Sequence, residues 1–235
     1  MEPLNRDALI RSSWEANAAA WAQVVREGSI PSRRAGTDAA ILSACVQLRP
    51  RRVLDLGCGE GWLARALSAD GIEVVGVDCS AALIEAARIA GGANYIVTEY
   101  DSLIHDPGTV PGPFDTIVCN YSLFADPLAP LLKSLANRLA ANGRLLAQTV
   151  HPWIAAGDGP YECGWREETF ADFAADFPAA MPWYFRTLES WCEELRQSGL
   201  FVERVDEPRD SSQGRPLSIV FCCAPSPPAS GPKRA

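Results

Sequence analysis

The sequence predicts an α/β fold, and three observations carry that expectation. Short apolar runs of strand length, among them VLDL, EVVGVD, FDTIVC and RLLAQTV, alternate with stretches whose apolar residues recur at helical spacing. One of these runs, Val53, Leu54 and Leu56, passes into a loop carrying Gly57, Gly59 and Gly61 and then into a helical face of Leu63, Ala66 and Leu67. A chain of 235 residues, 48% hydrophobic and 21% charged, suits one domain with a full-sized core and a small appended cap.

Taken in order, residues up to about Arg26 read as a helix, with Trp14, Ala18, Trp21 and Val25 on one face. On this spacing alone it is expected to pack on the sheet. After Gly28 and Pro31 a second helix is expected from Thr37 to Leu48. The first strand and the glycine loop lead to a helix ending near Ala69, and Asp70-Gly71 turns the chain into a buried strand, Glu73 to Val77, closed by Asp78. A helix from Ala81 to Ala90 stops at Gly91-Gly92, and a third strand covers about Tyr95 to Thr98. His105 is expected in a solvated loop before Pro107. FDTIVCNYSLF is the fourth strand, with Asn120-Tyr121-Ser122 at its carboxyl end. A crossover helix follows from Ala125 to Leu139 with Pro127 near its start, and Asn142-Gly143 turns into the fifth strand, RLLAQTV. After an aromatic segment come a helix from Leu188 to Gln197 and two strands, LFVERVDE and LSIVFCCA; PSPPASGPKRA is expected to be disordered.

Bulk charge narrows the function. A net charge of −8 argues against a sequence-independent grip on phosphate backbones, so no nucleic-acid partner is expected, and a small or neutral partner fits better. The beginning MEPLNRDAL lacks a signal-like apolar core, and no run approaches a membrane span, so the expectation is a cytoplasmic protein without a membrane partner. The eight cysteines form no C-x-x-C pair, and several fall in strands or the glycine loop. Neither a metal site nor a disulfide framework is expected.

The glycine loop carries the chemistry. Three glycines let the backbone turn sharply and expose main-chain atoms to a ligand, with the unpaired N–H groups of a helix start facing it. A dinucleotide fingerprint needs a third small residue where Trp62 stands, which disfavours a nicotinamide or flavin cofactor. The string Asp55-Leu56-Gly57-Cys58-Gly59-Glu60-Gly61 resembles motif I of the class I S-adenosylmethionine-dependent methyltransferases. The likeness covers Arg51 to Val150 well and the ends in outline, and it is nearest to bacterial enzymes acting on small molecules.

The resemblance implies a Rossmann-like sheet of seven strands, mostly parallel with an antiparallel last strand, and helices on both faces. It implies S-adenosyl-L-methionine as cofactor and S-adenosyl-L-homocysteine as product. Asp55, Gly57, Cys58, Gly59 and Gly61 would line the cofactor. Asp78, with Cys79 beside it, stands where an acidic side chain accepts the ribose hydroxyls; it is also placed to cap the next helix, although Ser80 would serve as well. Glu99 or Asp101 would accept from the adenine amino group, with Tyr100 stacking between them. Asn120 and Tyr121, at the end of the fourth strand, would border the methyl position. The proline-rich motif of enzymes that methylate DNA bases is absent there. Arg33 or Arg34 would pair with the methionine carboxylate beneath an N-terminal lid.

From His151 to about Thr187 the texture changes: nine aromatic residues, nearly half of those in the chain, crowd a segment broken by Pro and Gly. Such a segment should fold as a cap with an aromatic pocket. Trp153, Tyr161, Trp165, Trp183, Tyr184, Tyr121 and His151 are candidate acceptor contacts, while Phe170, Phe173 and Phe177 suit the cap's own core. Arg186 is placed either to anchor a substrate carboxylate or to cap the following helix. His151 is the candidate general base, unless His-Pro is only a turn. The expected organisation is therefore an N-terminal helical cap over 1–50, a cofactor-binding core over 51–150, an aromatic cap over 151–187, a sheet-completing end over 188–224 and a tail over 225–235. The expected activity is methyl transfer to an O, N, S or C atom of a small acceptor, such as a phenolic, quinone or other secondary metabolite, by a monomer or homodimer. The alternative is a cofactor-binding regulatory or scaffold protein without turnover.

Overall fold

The computed structural model describes residues 5–210 and 214–226. Strands β1 (Arg52–Leu56), β2 (Glu73–Asp78), β3 (Asn94–Val97), β4 (Phe114–Asn120), β5 (Leu139–Val150), β8 (Leu200–Asp206) and β9 (Ser218–Pro225) form one sheet in the order β3-β2-β1-β4-β5-β9-β8. β1 to β5 are parallel, and β9 runs antiparallel to both β5 and β8. This is the seven-stranded arrangement expected, its last strand in sequence being the antiparallel one. β1 has β2 on one side and β4 on the other. The chain therefore leaves β1 and β4 toward opposite flanks, and a crevice opens above their carboxyl ends, where open α/β sheets take ligands.

Because successive strand residues point to opposite faces, the sheet buries two separate clusters. Leu54, Val75, Ile117, Leu145 and Phe221 pack against α5 (Tyr100–His105), α6 (Ala129–Ala136) and α8 (Leu188–Gln197) through Leu103, Leu131, Leu132, Trp191 and Leu195. Val53, Val74, Val118, Leu146 and Val220 pack against α2 (Asp38–Gln47), α3 (Trp62–Ala69) and α4 (Ala81–Ala90) through Ile41, Leu63, Leu67 and Ile84. Cys45, Cys58, Cys119, Cys222 and Cys223 are buried and free, behaving as small apolar side chains.

Several boundaries differ from the sequence reading, each for a local reason. The segment after β3 is not a loop: Tyr100–His105 coils into α5, so His105 ends a helix, with Leu103 wholly buried beneath it. The crossover helix shrinks to Ala129–Ala136. Pro130 takes its first turn, while Pro127 stays outside and holds the residue before it away from helical angles. β5 begins at Leu139, which pairs with Phe114 before the ladder resumes at Thr116 and Arg144. β9 extends through Pro225, so only residues 227–235 of the expected disordered tail fall outside the described residues, with Ser226 still donating to the Gly199 carbonyl.

The caps also divide differently. α1 (Arg6–Arg26) packs on the aromatic segment, which forms the short helix α7 (Pro152–Ala156) and a hairpin of β6 (Gly164–Glu168) and β7 (Met181–Phe185). Ile10, Phe170 and Met181 are its buried centre, with Trp14, Phe124 and Trp165 against them. α2, by contrast, belongs to the sheet core. Residues 1–50 are thus not one cap: the first helix and the distant aromatic hairpin make a single cover, while the second helix packs on β4 and β5. Phe170, Phe173 and Phe177 pack on one another, with Phe170 and Phe177 stacked at 4.6 Å, but Phe170 and Phe173 also line the cavity beneath this cover and so are not core alone.

Candidate functional site

A cavity of about 650 Å³ lies between the carboxyl ends of β1, β2 and β4 and the combined cover of α1 and the aromatic hairpin. Its floor is the glycine turn. Gly57, Gly59 and Gly61 all have positive φ (70°, 56° and 84°), a region L side chains rarely adopt. A side chain at Gly57 would collide with Ser122 from the β4 loop, and one at Gly61 would lie 2.6 Å from the Tyr95 hydroxyl. Gly57 thus lets two strand ends close on one another, whereas Gly61 caps α3 and lies outside the cavity wall.

Two carboxylates from adjacent strands face this floor. Asp78 Oδ2 accepts from the Gly59 N–H and Oδ1 from the Ser80 N–H, both at 2.9 Å, and each oxygen keeps a lone pair for a further donor. Ser80 itself caps α4, its Oγ accepting from the Leu83 N–H, which leaves Asp78 free of that duty. Asp55 is 1% exposed and its Oδ2 has no hydrogen-bond partner. Burial, then the charge of Asp78, push its carboxyl up to about 7 against the opposing N–H of Ala64. Burial also raises Asp78 despite its backbone donors. Asn120 Oδ1 and Ser122 Oγ, across the turn, are buried without partners as well. Unsatisfied acceptors around an exposed backbone suit a ligand that brings its own donors.

The structure brings together most of the sequence candidates. Asp55, Gly57, Cys58 and Gly59 line the cavity with Asp78 and Cys79 from β2 and its end; Asn120 and Tyr121 reach it from β4. Tyr121 has φ 53° and donates its N–H to the Gln148 carbonyl, which fixes the backbone where the β4 loop turns over the crevice. Of the acidic pair, Asp101 lines the cavity beside Tyr100, whereas Glu99 is exposed and pairs with Arg11 of α1 at 3.4 Å. Of the two arginines, Arg33 lines it, bound to Asp38 at 2.7 Å with its guanidinium over the Trp62 ring, and Arg34 is exposed elsewhere. From the aromatic hairpin Trp183, Tyr184 and Arg186 contribute.

Other candidates are not brought to the cavity. His151 Nε2 sits 2.9 Å from Glu207 Oε1, and its Nδ1 accepts from the Trp153 N–H at the start of α7. Both ring nitrogens are engaged away from the wall, so His151 serves the turn that the His-Pro alternative anticipates. Trp153 is 68% exposed. Tyr161 packs beside it and accepts from the Leu188 N–H, and Trp165 lies under the Arg6 guanidinium. These rings stand one layer behind the wall: Tyr161 packs on Phe185 and Trp165 on Tyr184, both of which line the cavity, while Trp153 lies outside against Tyr161.

Trp14 and Trp21 are wall residues that sequence reasoning misses. They line the cavity from α1, their rings 5.2 Å apart, with Trp21 Nε1 3.5 Å from where a Cβ on Gly59 would lie. Their helical spacing is visible in the sequence, but not which element they face. Ser122, Phe124, Glu168 and Asp172 also line the cavity, with no local signal to mark them. α1 is fastened over the site by Glu15, whose carboxylate accepts from the Ser80 hydroxyl at 2.7 Å, and by Arg26, which reaches Glu60 and the Ala86 carbonyl. Among the described residues no group of three or more His, Cys, Asp or Glu side chains is arranged to hold a metal ion, and no helix is long and apolar enough to cross a membrane.

A mostly parallel sheet with this crevice, a three-glycine turn under an acidic second strand and an aromatic cover define a methyltransferase domain. The chain belongs to that family: the family model described as a methyltransferase domain matches residues 33–205. Among solved structures it is similar to an S-adenosylmethionine dependent methyltransferase from Mesorhizobium loti, with 26% identity and a TM-score of 0.61 over 80% of this chain and 97% of that one. A 1,6-didemethyltoxoflavin-N1-methyltransferase from Burkholderia thailandensis shares the fold, with a TM-score of 0.65, 20% identity, and 97% and 92% coverage. Ubiquinone biosynthesis O-methyltransferase from Xylella fastidiosa is 35% identical over 122 residues, 49% of this chain and 48% of that protein. The chain therefore matches about half the length of the curated relatives.

Proposed function

We propose that this chain transfers a methyl group from S-adenosylmethionine to a hydroxyl of a small aromatic acceptor. The observation that carries the reading is that one cavity runs from the glycine turn beside Asp78 to the rings of the hairpin, with room for a nucleoside and an acceptor together. The residues present fit the cofactor. Asp78 has lone pairs for two ribose hydroxyls, and Asp101, rather than Glu99, faces the position of a base. The unpartnered oxygens of Asp55 and Asn120 suit an ammonium group, and Arg33 a carboxylate. When bound, the sulfonium supplies an electrophilic methyl group with a thioether as leaving group.

The chain's own contribution is positioning. The Asn120–Ser122 turn and the walls formed by Phe124, Trp14 and Trp183 would hold a flat acceptor in line with the methyl group, and such orientation is worth up to ~7–11 kcal/mol of a barrier. Neither histidine lines the cavity, so the acceptor proton would pass to a carboxylate that does, Glu168 or Asp172, as the oxygen attacks the methyl group; exclusion of competing water by the aromatic cover and orientation add to the catalysis. The aromatic walls, together with the sequence likeness to an O-methyltransferase, support a phenolic acceptor. A binding protein without turnover would need no space beyond the nucleoside, and the depth of the cavity under the hairpin speaks against it. The test is a screen of phenols, amines and thiols with methyl-labelled cofactor. Label transferred to phenolic oxygen is the expected result; cofactor binding without transfer to any acceptor would favour the non-catalytic alternative.

A further inference from the structure

Arg186 is the link between β7 and α8, and its side chain is fully buried while the residue lines the cavity. Its faces are occupied: the guanidinium carbon lies over the Tyr184 ring at 4.7 Å and the Trp191 ring at 5.6 Å. Its Nη2 donates to the Ala125 carbonyl at 2.6 Å and to Asp126 Oδ1 at 2.8 Å, tying the hairpin to the loop after β4. Nε and Nη1 have no partner. Unpaired donors on a buried cation are costly, and with two rings against the guanidinium its free N–H groups are what remain to be satisfied.

We infer that Arg186 recognises a neutral carbonyl oxygen on the acceptor, so that the substrate class is a hydroxylated aromatic ketone, quinone or related carbonyl compound. This rests on the methyltransferase reading above. The choice of a neutral oxygen over a carboxylate follows from the surrounding charge. Asp126 is ion-paired to the guanidinium, and the charge of Glu194 on α8 also acts on it, its own Oε2 buried and unpartnered. One cation already faces two carboxylates, so a third negative charge would be repelled, whereas a carbonyl satisfies an N–H without adding charge. Of the other cations lining the cavity, Arg33 is given to the carboxylate of the cofactor, and Arg11 is paired with Glu99.

The test is calorimetry on the chain saturated with S-adenosylhomocysteine, using three matched probes: 4-hydroxyacetophenone, 4-ethylphenol and 4-hydroxybenzoate. The ketone should bind about tenfold more tightly than 4-ethylphenol, which differs by the missing carbonyl, and 4-hydroxybenzoate should bind weakest. In Arg186→Met the advantage of the ketone should vanish. Equal binding of ketone and ethylphenol, tightest binding of the benzoate, a ketone preference that survives in the variant, or no binding of any probe while the homocysteine product binds would each overturn the inference. The wild-type ranking requires no variant, so the inference stays open to refutation even where Arg186→Met fails to fold. Failure of S-adenosylhomocysteine itself to bind would instead overturn the reading on which this one stands.

Discussion

Asp55 and Asp78 reach the same floor from neighbouring parallel strands, Asp55 in register with Gly76 two residues before Asp78, and the charge of Asp78 helps hold the Asp55 carboxyl in its neutral form. Two buried acids set against each other make a floor that resists further negative charge and favours a cationic ligand.

That relationship sets a pH dependence. The Asp55 carboxyl rises from 3.8 to about 7, so its contribution to stability is complete below the unfolded value and is lost as pH climbs through the folded one. Stability of the ligand-free chain should therefore fall between about pH 4 and pH 7, by up to ~1.4 kcal/mol for each pH unit. Asp55→Asn should flatten that window while weakening cofactor binding above it. Chemical denaturation of both proteins across the range checks this; an unchanged slope in the variant would show that Asp55 does not titrate there.

For Asp78 the expected effect is on the nucleoside. Asp78→Ala removes charged hydrogen bonds worth ~1.5–3 kcal/mol, so affinity for S-adenosylhomocysteine should drop roughly tenfold to a hundredfold. Adenosine competition read by calorimetry distinguishes a ribose contact from a general loosening of the glycine turn, because only the former is lost equally for adenosine and the full cofactor.

His151→Ala should leave kcat essentially unchanged and lower stability by about 1 kcal/mol or less, since the ring serves Trp153 and Glu207 at a partly exposed turn. A general base would instead cost about 10²-fold or more in kcat. Steady-state rates with the best acceptor from the screen decide between them.

Gly57→Ala should destabilise the fold, both because φ is 70° and because the new methyl meets Ser122. The backbone part alone costs roughly 1–2 kcal/mol. Adding Ser122→Gly relieves the collision but not the torsion, so the double variant should recover part of the loss. Thermal melts of the single and double variants measure that coupling; strictly additive losses would mean that the two residues do not touch.

The parts of this molecule legible in its sequence are those written in local chemistry. The glycine turn, the acid at the end of β2 and the polar residues ending β4 each sit where a strand stops, and strand ends are marked by short-range signals. Residues whose role depends on which element lies opposite are not legible. Trp14 and Trp21 show a helical stripe, but only the packing of α1 on a hairpin more than a hundred residues away makes that stripe a cavity wall. Within 151–187 no single period applies, because a short helix, a hairpin and turns succeed one another. Sequence counts the aromatic residues there but does not separate Trp183, facing in, from Trp153, facing out. His151 misleads for the same reason: its place at a strand end suggests the site, and the partner that turns it away, Glu207, lies far along the chain beyond β8.

Titration calorimetry of the chain with S-adenosylhomocysteine probes the glycine turn and Asp78 together as a cofactor site. Saturable heat with one site per chain is expected, greatly reduced in Asp78→Ala. Absence of heat in the folded wild-type chain would contradict the assignment.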